Sequence, residues 1–452
     1  MLYCVLREGT NWLVCARNLN LKLKSNKLLK LWPNGLPKSE FQSKPLFIEE
    51  SSMMNSSGGT NPQASRILSV DIFRGLTMLV MIFVNDLSGV KGLPWWTYHM
   101  PSDVNGMTYV DVVFPAFLFV VGMAVPLAIK RRLEKGDSPL QLWMHILLRS
   151  LGLVVLGLFI ANADKLDSQQ SRISGGAWAA LGFVAAILLW NVYPRSGRQT
   201  LYKGLKYGGL GLLIVLFAIF RRKTPDGQTA WLDFSYWEIL GLIGRAYLAA
   251  CILYLPFRKK VWSPVAMLVL LCALNVFSRL PWGEVMGQIP YSFWIFENGA
   301  HASIVMAGVV ASMIFLDSAL AKTFRQKALW AAGYSGLLFA AGWLLSPFGI
   351  SKDYGTPTWC LYCAGISTLL FLALYWLADI KQWSGWAAMI KPAGSNTLLT
   401  YLLPDIFYAV VGAWYFQSMS HGWPGVVRSL LFTIFILSMS GVLTKWKIRM
   451  QL

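Results

Sequence analysis

The chain has 452 residues, 56% of them hydrophobic and only 13% charged, where an average soluble domain carries roughly 25% charge. That balance excludes a soluble globular protein, and the apolar residues fall in blocks close to the ~20 a helix needs to cross a bilayer. The formal charge of +19 would suggest nucleic acid in a soluble protein. Here Lys and Arg gather in short loops between apolar blocks, the positive-inside pattern, so the expected partner is lipid and no nucleic acid.

Residues 1–65 differ from the rest. They are rich in Lys, Asn, Ser and Gly, and the opening run MLYCVLREGTNWLVCA is broken by charge and makes a poor signal peptide. A disordered cytoplasmic extension is expected here, followed by one membrane domain over 66–452. A start at Met53 or Met54 would cost that domain nothing.

Twelve spans are predicted from there, at about 67–89, 109–129, 142–162, 176–193, 204–220, 236–257, 262–278, 299–317, 327–346, 358–378, 395–415 and 424–444. The expected fold class is an all-α polytopic membrane protein of 11 or 12 spans. Alternate loops carry KRRLEK, RSGRQTLYK, FRKK, AKTFRQK and ADIKQW, and the tail carries KWKIR. Both termini are therefore expected to be cytoplasmic. The RRK at 221–223 falls on the other side, with Asp226 and Asp233 to dilute it.

The six cysteines imply no disulfide framework, since Cys251 and Cys272 lie inside apolar blocks. Cys360 and Cys363 form a lone CxxC, read as packing because a metal site needs more ligands, and no metal is expected.

The polar groups near or within spans are the informative ones, because burying them in lipid is costly. Asp71 and Arg74 stand three residues apart at the inner end of the first span, close enough for a helix-surface pair. Asn85 and Asp86 stand at its outer end. His99 follows between WWTY and the turn-forming PSDVNG, and Asp111 opens the second span. A loop histidine is ordinarily just solvated; beside carboxylates it can also serve as general base or acyl acceptor. His301 is a second candidate on the same side, with His421 a weaker one, and His145 lies on the inner side. Arg245 and Asp405 both sit roughly 15 Å deep at 1.5 Å per residue, so they either pair with each other or meet a substrate. Pro404 should kink the span beside Asp405. Outer loops 281–301, 346–359 and 417–425 are rich in aromatic and amide groups, which fits an aromatic belt or a sugar-binding rim.

SVDIFRGLTMLVMIFVN, the histidine loop and NGMTYVDVVFPAFLFVVGMAV resemble the membrane-bound acetyltransferases typified by lysosomal heparan-α-glucosaminide N-acetyltransferase and its bacterial relatives. The matching family patterns are SVDxFRG…MVFVN, KHAxWNGLT and ADLVFPWFxFxxG. Weaker echoes follow at Arg149, in SKDYGTPTW with Lys352, and in GSNTLLTYLLPD with Asn396, Tyr401 and Asp405.

The resemblance implies a multi-pass protein of the bacterial inner membrane that moves an acetyl group from cytoplasmic acetyl-CoA to an amino sugar or glycan on the far side. It implies His99 as the active-site histidine, with Asn85 beside it. Asp71, Arg74 and Arg149 are expected to serve acetyl-CoA, and Asp86, Asp111, His301, Lys352 and Asp405 the acceptor; Asp86 and His301 enter by their places near the outer surface and not by the family patterns. Two departures stand out. Two more residues separate His99 from Asn105 than in the family, and Gly241-Leu242 replaces a Gln-Arg pair while Arg245 takes an apolar position. A transporter or flippase of sugar-like solutes is the rival reading, motivated by Arg245, Asp405 and Pro404. The acceptor's identity and assembly into a homo-oligomer stay open.

Overall fold

The computed structural model describes residues 67–195, 197–283, 294–316, 320–411, 415 and 419–452. The expected N-terminal extension and much of the 281–301 rim lie outside that set. Among the described residues, twelve helices of fifteen residues or more follow the twelve apolar blocks in order. They are α1 Leu68–Leu87, α2 Val110–Glu134, α3 Pro139–Ala163, α4 Gly175–Trp190, α5 Gln199–Ile219 and α6 Glu238–Phe257. Then come α7 Ser263–Phe277, α8 Ala300–Phe315, α9 Phe324–Leu344, α10 Pro357–Tyr375, α11 Thr397–Val411 and α12 Gly422–Lys445.

Seven of them are long and apolar enough to cross a membrane: α1, α2, α3, α5, α6, α10 with its continuation to Ile380, and α12. Helices α4, α7, α8 and α11 are apolar but have only 15 or 16 residues, about 24 Å at most against a hydrocarbon core of ~30 Å. The chain is an all-α polytopic membrane protein. Among the described residues the one small sheet is an antiparallel pair, β1 Arg222–Lys223 with β2 Thr229–Ala230, in the α5–α6 connection.

Local chemistry explains where the helices begin. Ser138 with Gln141 and Thr323 with Gln326 form capping boxes that start α3 and α9. Helix α1 borrows its cap from far away: both oxygens of Asp379, in the π-helical turn after α10, accept the amides of Leu68 and Ser69 at 3.0 Å. A carboxylate there answers unpaired N–H groups and the positive end of the helix dipole. The RRK run on the minority side is locally answered, since Lys223 pairs with Asp167 at 3.4 Å. Asp233 instead takes Lys165, at 2.8 Å.

The core runs through α1, α2, α6, α8 and α10. Helices α2 and α8 cross almost backbone to backbone at Gly122 and Gly308. A Cβ on Gly122 would lie 1.8 Å from the Val305 carbonyl oxygen, and one on Gly308 would lie 2.0 Å from that of Phe119. Without a hydrophobic drive between helices in lipid, such close approach is what small residues provide. A smaller cluster packs Phe159, Trp178 and Phe220 between α3, α4 and the end of α5, with Phe159 and Trp178 stacked at 4.1 Å.

Candidate active site

The loop between α1 and α2 is tied down residue by residue. Tyr98 donates its hydroxyl to the Val90 carbonyl at 2.6 Å and accepts from the Leu93 amide. The hydroxyl of Thr108 donates to the Tyr98 carbonyl at 2.7 Å. His99 is thereby held over the first turn of α2, where its Nδ1 lies 2.7 Å from Asp111 Oδ1. Asp111 is 1% exposed, and its other oxygen accepts the amides of Met100 (3.1 Å) and Thr108 (2.9 Å). An acceptor-only carboxylate calls for the proton on Nδ1, which leaves Nε2 as the ring nitrogen not engaged by Asp111. Asp111, expected to meet substrate, instead orients the ring, because its oxygens are already engaged and buried.

Lys352 approaches from the α9–α10 connection, with Nζ 3.2 Å from each ring nitrogen of His99. Burial pushes its pKa below the usual lysine value, against the pull of Asp111 and Asp353. The two loops are pinned together by Asn105, whose Oδ1 accepts the Ile350 amide at 2.7 Å, and by the Gly106 amide on the Ile350 carbonyl. His99 and Lys352 line a cavity of about 240 Å³ together with Asn85 and His301.

Asn85 is exposed into that cavity, whereas its neighbour Asp86 turns away. Asp86 is buried under Tyr408, whose hydroxyl donates at 2.8 Å, Ser429 at 2.6 Å and the guanidinium of Arg428 at 3.3 Å. Its expected role toward the acceptor is therefore corrected: it joins α1 to α11 and α12. His301 Nδ1 meets Glu297 Oε2 at 2.7 Å, and Glu297 Oε1 meets the buried Arg245 at 2.6 Å. Arg245 also lies 4.3 Å above the Trp237 ring. Of the two readings of Arg245 and Asp405, the mutual ion pair does not form: Arg245 pairs with Glu297 instead. His421 lies off this cavity with its ring nitrogen at Ser420.

Asp405 lines a smaller space of about 100 Å³ with Asn85, Glu238 and Tyr401. Tyr401 donates to Glu238 at 2.6 Å. Toward the other end of α1 lies a cavity of about 610 Å³ bordered by Arg74, Arg131, Arg132, Arg149 and His145. Asp71 borders it too, 3.9 Å from Arg74, and Arg74 also donates to the Gly394 carbonyl at 3.1 Å. Arg149 lies 4.9 Å over the Tyr247 ring. The small cavity shares Tyr401 with the arginine-lined one and Asn85 and Met81 with the histidine-lined one. The three cavities thus follow one another with shared walls.

Glu297, Glu238 and Asn105 carry no sign of this in the sequence, where each is one more polar residue near a span end. Cys360 and Cys363 are packed, buried thiols, their sulfurs facing the carbonyls of Ala300 and Asp111. Among the described residues no group of three or more His, Cys, Asp or Glu could hold a metal.

Comparison with known proteins adds a family to this geometry. Heparan-alpha-glucosaminide N-acetyltransferase of Mus musculus is 36% identical over 143 residues, which is 29% of this chain and 21% of the mouse protein. The human protein of the same name is 37% identical over 130 residues, 27% of this chain and 19% of its own length. The match thus spans about a fifth of the length of these curated relatives. The family model described as domain of unknown function DUF5009 matches residues 66–298, more than half of the chain, and the chain belongs to that family.

Proposed function

We propose that this protein is a membrane acetyltransferase that takes an acetyl group from acetyl-CoA at the arginine-lined cavity and delivers it to the amino group of a glucosamine-type sugar or glycan at the His99 cavity. The observation that carries this reading is the pairing, across cavities with shared walls, of a four-arginine cavity with a His–Asp pair. Guanidiniums suit the phosphates of coenzyme A, which they can grip bidentately. The small cavity between the two ends is where the thin pantetheine arm would have to pass. At the far end His99 Nε2 can take the amine's proton or carry the acetyl group, while the Asn85 amide and the Lys352 ammonium can donate to the developing oxyanion. The arginine cavity would face the cytoplasm of a bacterial inner membrane and the His99 cavity the opposite side, following the loop charges.

The test is direct. Purified protein in nanodiscs, given acetyl-CoA labelled in the acetyl group and a panel of amino sugars, should form labelled N-acetyl sugar and free CoA, and His99→Ala should not. Wild-type protein that neither transfers nor hydrolyses the acetyl group would overturn the proposal.

A further inference from the structure

The His99 cavity is faced by two histidine–carboxylate pairs of the same build. In each, Nδ1 lies 2.7 Å from a carboxylate oxygen, Asp111 for His99 and Glu297 for His301, and each ring lines the cavity. The second pair is expensively made. Its carboxylate is held by Arg245, only 3% exposed and stacked on Trp237, and a buried cation in a membrane span is costly to keep. Glu297 itself adopts φ 51, in the left-handed region, two residues before Gly299 at φ 84, a strained backbone of the kind found at functional sites. The ring of His301 packs edge-on against Phe114 of α2 at 5.4 Å, one turn from Asp111.

We infer that His99 and His301 divide the chemistry, His99 carrying the acetyl group and His301 acting as the base that frees the acceptor amine. The inference rests on the acetyltransferase reading above. In the first step His99 Nε2 attacks the thioester carbon, a C–N bond forms, the C–S bond breaks, and CoA leaves as a thiolate that takes a proton from water. While acetylated, His99 has no lone pair at Nε2 and cannot serve as base. His301 Nε2 then takes one proton from the acceptor ammonium. The neutral amine attacks the acetyl carbon, the C–N bond to His99 breaks, and its electron pair returns to Nε2. The second proton lost as the amide forms goes to water, as does the one that His301 held. Glu297 steadies the cationic ring of His301, and Arg245 holds Glu297 in place. In a one-step transfer His99 alone would suffice and the second pair would have no task.

The experiment separates the half-reactions. Wild-type protein mixed rapidly with acetyl-CoA alone should release one CoA per site in a burst and hold hydroxylamine-sensitive acetyl on His99. His301→Gln should keep that burst within twofold and slow transfer to glucosamine about 100-fold, within the usual range for a lost general base. His301→Ala should recover transfer with added imidazole, and an acceptor amine already neutral at the assay pH should narrow the gap. Should His301→Gln fail to fold, Glu297→Gln should show the same split, about tenfold. Equal slowing of burst and transfer, unchanged transfer, or wild-type transfer without a burst would overturn the inference. Wild-type protein inert toward acetyl-CoA with every acceptor would instead overturn the parent reading.

Discussion

At the histidine end the His99 imidazole is fixed by a buried carboxylate that also accepts the amides of Met100 and Thr108. At the arginine end four guanidiniums are spread over α1, α2 and α3 around a cavity more than twice as large. The first arrangement sets one atom's direction and proton state, which bond making requires. The second sets a field over a volume, which suits capture of a mobile polyanion and tolerates loss of a member. The contrast predicts steep, geometry-sensitive losses at one end and graded, salt-sensitive ones at the other.

The largest effect should come from His99→Ala, a loss of about 10³-fold or more in acetyl transfer, read as labelled product per minute with protein level and melting unchanged. Asp111→Asn should follow at about 10²-fold in kcat, because an amide can present its N–H to Nδ1 and favour the wrong tautomer. An Asp111→Asn variant of wild-type rate would break the comparison at its histidine end. Asn85 and Asp86 offer a sharper version on one helix turn. Asn85→Ala should lower kcat with little change in unfolding, whereas Asp86→Ala should cost about 3–5 kcal/mol of stability through loss of a buried ion-pair partner, read as a lower melting temperature.

At the other end, Arg149→Ala should raise the KM for acetyl-CoA about tenfold with kcat nearly unchanged, in keeping with ~1.5–3 kcal/mol for a hydrogen bond to a charged group. The effect should shrink as salt rises; a drop in kcat with constant KM would contradict capture by charge. The smallest effect belongs to Asp233, whose carboxyl the hydrogen bond from Lys165 holds well below the usual range. A depressed folded pKa gives stability that is complete above the unfolded value and lost as pH falls through the folded one. Asp233→Asn should therefore cost under about 1 kcal/mol at neutral pH, and the difference should vanish in strong acid.

The helices were readable because each block must satisfy lipid, and hydrophobic length is a local property. The His99–Asp111 pair was accessible for the same reason, its members standing only twelve positions apart. Lys352 lies 253 residues from His99 and was reachable only through the family pattern. Asp86 misled because Asn85 beside it faces the cavity, and successive helical residues point about 100° apart. Arg245 was visible as an anomaly, yet its partner Glu297 sits in a loop where a glutamate is unexceptional. Depth alone had suggested Asp405 instead. Pairing across loops is a tertiary fact that neither periodicity nor composition carries.

The crossing of α2 and α8 at Gly122 and Gly308 acts as a fulcrum. Asp111 lies roughly 16 Å along α2 from that point and His301 roughly 10 Å along α8, at 1.5 Å per residue. Any wedge driven into the crossing would swing both arms and part the two histidines by leverage. Spacing at the proposed site would thus depend on two hydrogen atoms buried deep in the bundle, where each glycine has no side chain.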